Sequence, residues 1–183
     1  DRAVLITESY QQTEQLPTVK RRALAFEHIL NNIPITIRDN ELIVGSSTKA
    51  PRSCQVFPEF SYEWLESELD TIEFREADPF HISEENKTNS DLALSYMAPE
   101  AAAAIEHNIF TPGNYFYNGI GHVTVDYGKV MRIGYKGIIA EVQEELNKCN
   151  VYDADYAKRH EFLESIIISC NAVINYARRY ANL

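Results

Sequence analysis

Apolar side chains recur at helical spacing along most of this sequence, and that periodicity constrains the fold more than any other feature. The clearest stripe runs from Pro17 to Pro34 and contains Val19, Ala23, Phe26, Leu30 and Ile33. Similar patterns predict a helix directly after Asp1 and further helices over residues 58–72, 99–107, 123–146 and 157–177. The sequence therefore predicts a predominantly α-helical fold.

Two short segments depart from that period. Residues 35–37 and 42–44 are β-branched or aliphatic and flank a polar turn at 38–41, which predicts either a short hairpin or two extended arms. Residues 73–90 are polar and irregular, so the next helix after 58–72 is expected to begin only at Pro99.

The helix predicted from Val123 contains Gly128, Gly134 and Gly137. Each glycine weakens a helix by about 1 kcal/mol relative to alanine. We expect these glycines to permit close packing against a neighbouring element.

Charge and hydropathy exclude several classes of partner. The net charge of −10 disfavours phosphate backbones, so nucleic acid is not expected. No apolar run reaches the roughly 18 residues that a membrane span needs, and residues 1–16 do not resemble a signal peptide. The expected location is the cytoplasm, and 183 residues suit one domain.

Metal and disulfide patterns are absent from the sequence. Cys54, Cys149 and Cys170 are widely spaced without a CxxC pair, so all three are predicted to be reduced thiols. Glu59 and Glu63 are predicted to lie on a solvated acidic helix face rather than to form a carboxylate pair. Three histidines without ligand spacing are predicted to be surface or capping residues: His81, His107 and His160.

The segment TPGNYFYNGIGH, residues 111–122, concentrates aromatic, amide and glycine residues ahead of a long helix. Such a loop suits a pocket, because glycine admits a ligand close to the backbone and His122 is able to donate a proton near neutral pH. A packed loop with a structural histidine explains the same pattern. The segment is neither a dinucleotide fingerprint nor a P-loop.

Several stretches in the same order resemble the glycyl radical enzymes, the pyruvate formate-lyase family, and most closely their glycerol and propanediol dehydratases. They are RAVLITES (2–9), RRALA (21–25), IPITIRD (33–39), ELIVG (41–45), PRS (51–53), VFPEF (56–60), WL (64–65) and GHVTVDYGK (121–129). The resemblance implies that residues 1–183 form the N-terminal, mainly α-helical portion of a ten-stranded β/α barrel enzyme.

The resemblance also implies a reaction. A stored glycyl radical generates a cysteine thiyl, hydrogen is abstracted from the hydroxyl-bearing carbon, and the neighbouring hydroxyl leaves, which gives an aldehyde and water. The radical glycine and the thiyl cysteine belong to regions C-terminal of this chain. His122 matches the family's histidine that hydrogen-bonds a substrate hydroxyl. Tyr117 and Asn118 have no established role in the family, but they are near enough to His122 in sequence to be expected to line the same pocket.

This segment is expected to bind no cofactor or metal of its own. In the full-length enzyme a SAM-dependent iron-sulfur activating enzyme would install the radical. The implied partners are that activating enzyme, a small polyol and a second copy of the enzyme in a homodimer.

The chain is expected to be a fragment, with a missing segment near residues 87–95, where its relatives are longer. Two alternatives stay open. One is a sister radical lyase with another substrate, such as a choline trimethylamine-lyase-like enzyme. The other is a non-enzymatic acidic helical interaction domain.

Overall fold

The computed structural model describes residues 1–46, 48, 55–59, 62–77, 79–107 and 125–183, with the backbone alone at 62, 64 and 65. These residues form six α-helices and a short 3₁₀ helix, and no strand occurs among them. The prediction of a mainly helical fold is confirmed. The helices are α1 (Arg2–Gln12), α2 (Thr18–Asn32), α3 (Tyr62–Glu68), α4 (Glu84–Glu106), α5 (Tyr127–Asn147) and α6 (Tyr156–Ala181), with the 3₁₀ helix at Ile72–Phe74.

The hairpin predicted around residues 38–41 does not form. The Glu41 amide donates to the Arg38 carbonyl at 3.1 Å, and Asn40 has a positive φ of 65°, which makes a turn without a ladder. Leu42 and Ile43 are 97% and 89% exposed. A two-stranded ladder with no apolar cover is marginal in water, so the extended-arm alternative describes this segment.

The described residues divide into two compact units. Unit 1 contains Asp1–Thr7 and Ser47–Val123, and unit 2 contains Glu8–Ser46 and Thr124–Leu183. None of the described helices is long and apolar enough to cross a membrane.

Unit 1 has a small core formed by Leu69, Ile72 and Leu94. Three partly buried apolar side chains pack against it: Val56, Phe80 and Ile82. The backbone amide of Phe80 also donates to the Ile72 carbonyl at 3.4 Å. These contacts join α4, through Leu94, to segments that precede it in the sequence.

Helix α4 begins fifteen residues earlier than the sequence predicts. The Ser83 hydroxyl accepts from the Asn86 amide at 3.2 Å, and Glu84 and Glu85 follow in the first turn, where carboxylates favour the helix dipole. Pro99 lies inside the helix, although an internal proline costs about 3 kcal/mol. The helix buries a face on both sides of it: Ser90, Ala93, Leu94, Met97, Ala98 and Ala101.

A polar cluster joins the start of α1 to residues 56–59. The Arg2 guanidinium forms a bidentate ion pair with Glu59, donates to the Val56 carbonyl at 3.0 Å and lies 4.0 Å from the centre of the Phe57 ring. Glu59 therefore lies in a turn against Arg2, not on a solvated helix face. The sequence prediction for Glu59 was wrong because its partner is 57 positions away.

Unit 2 is built from long helices. Helix α2 packs on α6, and α6 packs on α5. The guanidinium of Arg179 in α6 donates to the carbonyls of Leu30 and Ile33 at 2.6 and 2.7 Å, where the end of α2 leaves its carbonyls without helical partners. Tyr176 donates to the Ser46 carbonyl at 3.0 Å. Burial, with Tyr180 beside it, raises the pKa of Tyr176 to about 12.

Candidate functional site

The three predicted site residues, His122, Tyr117 and Asn118, lie outside the described residues, and their roles stay predictions. The structure does describe the helices on either side of residues 108–124. Helix α4 ends at Glu106, and α5 begins at Tyr127, five positions after His122.

The start of α5 is well defined. The Asp126 side chain accepts a hydrogen bond from the Lys129 amide at 2.9 Å, and its carbonyl accepts from the Val130 amide at 3.2 Å. An aspartate in this position satisfies an amide that has no helical partner and places negative charge at the positive end of the helix dipole. Helix α5 thus begins at Tyr127, within the GHVTVDYGK stretch at residues 121–129.

Helix α5 bends at Gly134, which has φ 61° and ψ 179°. This conformation is essentially restricted to glycine. A Cβ built on Gly134 would meet no atom within 4 Å, so the glycine is not required for close packing. The packing prediction was wrong at this position, and the reason for the glycine is its backbone conformation.

Gly137 shows the opposite situation. A Cβ at Gly137 would lie 2.5 Å from the Cβ of Ile133 in the same helix. In a straight helix the Cβ atoms of residues four apart are roughly 5–6 Å from each other. The bend has therefore brought Ile133 into the space that a side chain at 137 would need.

An ion pair joins the two halves of the bent helix. Lys129 Nζ lies 2.6 Å from Glu141 Oε2. Twelve positions of straight α-helix span about 18 Å, beyond the combined reach of the two side chains. The bend is what allows this ion pair to form. The feature of the sequence that indicates the bend is the presence of three glycines within one helical pattern.

Unit 2 contains an open groove of about 590 Å³ between α2 and α6. Phe26 and Arg22 of α2, Tyr135 of α5 and Phe162 of α6 line it. Cys170 also lines the groove, and burial raises the pKa of its thiol, which disfavours a nucleophilic thiolate.

A second open groove, of about 490 Å³, lies between α3 and α4 in unit 1. Its polar lining comes from Glu66, Asp91 and Ser95. In the described part of the chain no group of three or more His, Cys, Asp or Glu residues is placed to hold a metal ion.

The histidines predicted to be surface or capping residues are confirmed in those roles. His107 caps the end of α4, with its Nδ1 2.8 Å from the Ala103 carbonyl. His160 lies 3.8 Å from Glu164, and His81 is exposed beside Glu73. The hydrogen bond from the Ile82 amide is the main reason that the pKa of Glu73 is lowered, with His81 a smaller cause. Cys149 and Cys170 are free thiols, and Cys54 lies outside the described residues.

Comparison with known proteins decides the family. The sequence model described as pyruvate formate lyase-like matches residues 1–183. The chain belongs to this family. This family assignment confirms the resemblance found along the sequence and the prediction that the helices form part of a glycyl radical enzyme fold.

Two solved structures of family members are similar to this chain. One concerns 1,2-propanediol dehydration in Roseburia inulinivorans, with a TM-score of 0.85 and 57% identity over 99% of this chain and 23% of the other. The other is the glycerol-bound form of the B12-independent glycerol dehydratase from Clostridium butyricum, with a TM-score of 0.90 and 52% identity over 99% of this chain and 25% of the other.

Among the curated relatives, (2S)-3-sulfopropanediol dehydratase of Klebsiella oxytoca is 33% identical over 201 residues, which cover all of this chain and 24% of the relative. The chain thus spans about a quarter of the length of the proteins it matches.

Proposed function

We propose that this chain is the N-terminal region of a glycyl radical dehydratase that converts glycerol or 1,2-propanediol into the corresponding aldehyde and water. The observation that carries the proposal is the difference in identity between relatives. The structures concerned with propanediol dehydration and with glycerol dehydratase are 57% and 52% identical to it, whereas the sulfopropanediol dehydratase is 33% identical. Differences of this size favour an uncharged diol over a sulfonated one.

The proposed role of His122 is to hydrogen-bond a hydroxyl of the bound diol. Hydroxide is a poor leaving group, so the departing oxygen must be protonated or strongly hydrogen-bonded as the carbon-oxygen bond breaks. General acids contribute typically 10²–10⁴-fold to such steps. Tyr117 and Asn118 are proposed to line the same pocket.

The radical chemistry is proposed to come from the remainder of a longer protein. A glycyl radical generates the thiyl that abstracts hydrogen, and the hydrogen returns to the product radical so that the glycyl radical is restored. A radical-SAM activating enzyme is the proposed partner that installs the radical. We further propose a cytoplasmic homodimer with a gap relative to longer relatives near residues 87–95.

A sister radical lyase is the second candidate. The 33% identity to sulfopropanediol dehydratase extends over the whole chain, so the family resemblance alone is compatible with a substrate that carries a charged group. The side chains of Tyr127 and Met131 are exposed and apolar, which suits packing against further protein. That further protein would be the rest of the enzyme under both enzyme proposals, or a separate partner if the chain is an interaction domain.

The proposal is tested on the full-length protein, activated without oxygen by its activating enzyme. Glycerol, 1,2-propanediol, (2S)-3-sulfopropanediol and choline are supplied in parallel, with aldehyde as the readout and the radical quantified by electron paramagnetic resonance. We expect aldehyde from an uncharged diol. A confirmed radical with turnover of only a charged substrate supports the sister lyase, and a protein that never acquires the radical contradicts both enzyme proposals.

Variants of His122 test the residue assignment. His122→Ala is expected to lower kcat about 10²–10⁴-fold, and His122→Gln, which keeps a hydrogen-bond donor but cannot titrate, is expected to recover part of that loss. His160→Gln is the matched control, because His160 is a surface histidine beside Glu164. Equal activity in His122→Ala and His160→Gln would mean that His122 is structural.

A further inference from the structure

We propose that the groove between α2 and α6 is the docking site for an amphipathic helix from the remainder of the same full-length polypeptide, and that this helix carries a carboxylate opposite Arg22. The inference rests on the proposal that residues 1–183 are the N-terminal region of a longer protein. It depends neither on the reaction nor on His122.

The groove is a valley between two helices that are held together at both ends. Lys20 of α2 forms an ion pair with Glu164 of α6 at 3.2 Å. Further along both helices, the Arg179 guanidinium donates to the Leu30 carbonyl at 2.6 Å. Contacts between early positions and between late positions show that α2 and α6 run in the same direction. The two walls of the groove are therefore preformed.

The residues that line the groove fall at helical spacing on both helices. Those from α2 extend over about 10 Å and are Val19, Arg22, Ala23 and Phe26. Those from α6 extend over about 16 Å and are Phe162, Ser165, Ile166, Ser169, Cys170 and Val173. A valley about two to three turns long between two helices fits a third helix, whose apolar side chains at i, i+3, i+4 and i+7 would enter it.

The side chains of the groove favour an apolar occupant. The hydroxyls of Ser165 and Ser169 donate to the carbonyls of Glu161 and Ser165 in their own helix, at 2.8 and 2.9 Å. These hydroxyls therefore offer no unsatisfied donor to a ligand. Phe26 and Phe162 are 41% and 55% exposed, so apolar side chains placed between α2 and α6 would bury aromatic surface.

Arg22 adds one polar requirement. It is exposed and lines the groove, and its guanidinium makes no ion pair or hydrogen bond with the described residues. A free cation is notable in a chain whose net charge is −10. A carboxylate on the docked helix is the group that complements it.

The remainder of the polypeptide is the favoured occupant because of its length and its covalent attachment. This chain spans about a quarter of the proteins it matches, so about three quarters of a full-length protein lies outside it. A segment of the same polypeptide competes for the groove at a roughly millimolar effective concentration. A second copy would need a comparable protein concentration to displace it.

The first test introduces the photo-crosslinking residue p-benzoylphenylalanine in place of Phe162 in the full-length protein. We expect a product of monomer mass in which residue 162 is joined to a peptide C-terminal of residue 183, with an apolar helical pattern and an Asp or Glu. Tyr152 is the control position, because it is an aromatic residue of unit 2 that is 91% exposed and does not line the groove. The same substitution there is expected not to capture that peptide.

Three crosslinking results would overturn the inference. A product of twice the monomer mass would place a second copy in the groove. A crosslink to a peptide within residues 1–183 would place part of this region there. Capture of the same peptide from residue 152 would show that the groove does not select it.

Hydroxyl-radical footprinting tests the same point on the unmodified full-length protein, so the inference does not depend on crosslinking efficiency. The oxidation rates of Phe26 and Phe162, each relative to its own rate in the unfolded protein, are expected to lie well below the exposed fractions of 41% and 55%. Rates that match those fractions would show an open groove and would overturn the inference.

Variants of Arg22 test the charge. Arg22→Met is expected to speed hydrogen exchange of the docked segment by up to about fivefold, the effect of losing a solvent-exposed ion pair. Arg22→Glu is expected to have a larger effect because it places like charges together. Arg178→Met is the control, since Arg178 is exposed on α6 and does not line the groove. Unchanged exchange in Arg22→Glu would overturn the assignment of a carboxylate to the docked helix.

These measurements need neither substrate nor radical, so they are separate from the test of the proposed function. A filled groove in a protein that does not turn over a diol would leave this inference standing. An open groove in an active dehydratase would overturn this inference alone.

Discussion

The two units of this chain are stabilised in different ways. Unit 2 consists of long helices that pack side by side, with alanines buried on both α2 and α6. Unit 1 has a small core around Ile72, and polar contacts join Arg2 of α1 to Val56 and Glu59, more than fifty positions away. The difference shows that helical periodicity predicts a helix-packed unit well and a unit held by long-range polar contacts poorly.

The Arg2–Glu59 ion pair is expected to contribute the most to the stability of unit 1. Both side chains are mostly buried, with 13% and 14% exposure, so Arg2→Met would leave a carboxylate without its partner in a poorly hydrated site. Breaking such a pair typically costs about 3–5 kcal/mol. We expect Arg2→Met to lower the free energy of opening of unit 1 by that amount, as measured by hydrogen exchange of its backbone amides. The free energy of opening of unit 2 is expected to stay the same.

The double variant Arg2→Met/Glu59→Leu is the control, since it removes both charges. It is expected to be less destabilising than Arg2→Met alone. Equal losses in the two variants would show that packing of the Arg2 stem, rather than its charge, stabilises unit 1.

Unit 2 has a comparable polar contact at Arg179. Arg179→Met removes two charge-assisted hydrogen bonds to the carbonyls of Leu30 and Ile33, for an expected loss of about 2–4 kcal/mol. Arg178→Met is the neighbouring control, because Arg178 is exposed and its loss is expected to stay within about 0.5 kcal/mol. Urea unfolding of both variants measures the difference, and equal midpoints would contradict it.

Close helix packing in unit 2 is tested by enlarging an alanine. Ala172 of α6 is fully buried, so Ala172→Leu is expected to overpack the interior at a cost of about 1–3 kcal/mol. Ala177→Leu on the same helix is exposed and is expected to be nearly neutral. An unchanged free energy of unfolding in Ala172→Leu would contradict close packing around residue 172.

The smallest expected effect concerns Glu73 of unit 1. The Ile82 amide lowers the pKa of this carboxyl below its ordinary value of 4.5. Because the folded pKa is depressed, the stabilisation is present above pH 4.5 and is lost as the pH falls through the folded value. The unfolding midpoint of the wild type should therefore fall faster below pH 4.5 than that of Glu73→Gln, and parallel profiles would exclude a contribution from this contact.

Local pattern predicted much of unit 2. Pro17 and the residues before Pro34 bracket α2, and the stripe after Asp155 predicted α6. The sequence pattern predicts α4 too short because three of its six buried residues are alanine, which gives a weak apolar signal, and because a proline is typical of a helix start, whereas Pro99 lies inside the helix. For the candidate site, His122 came from the resemblance, whereas the role of Gly134 required its dihedral angles.

The sequence by itself determined that the chain is mainly helical, where most helices lie and which family it belongs to, because these depend on the spacing of apolar residues and on motifs in order along the chain. Only the tertiary structure decided that Arg2 neutralises Glu59, that Arg179 completes the end of α2 and that α5 bends so that Lys129 meets Glu141. Those contacts join atoms from distant positions, or from positions that a regular helix would keep apart. The order of residues within one helix or turn does not show which distant residues are in contact.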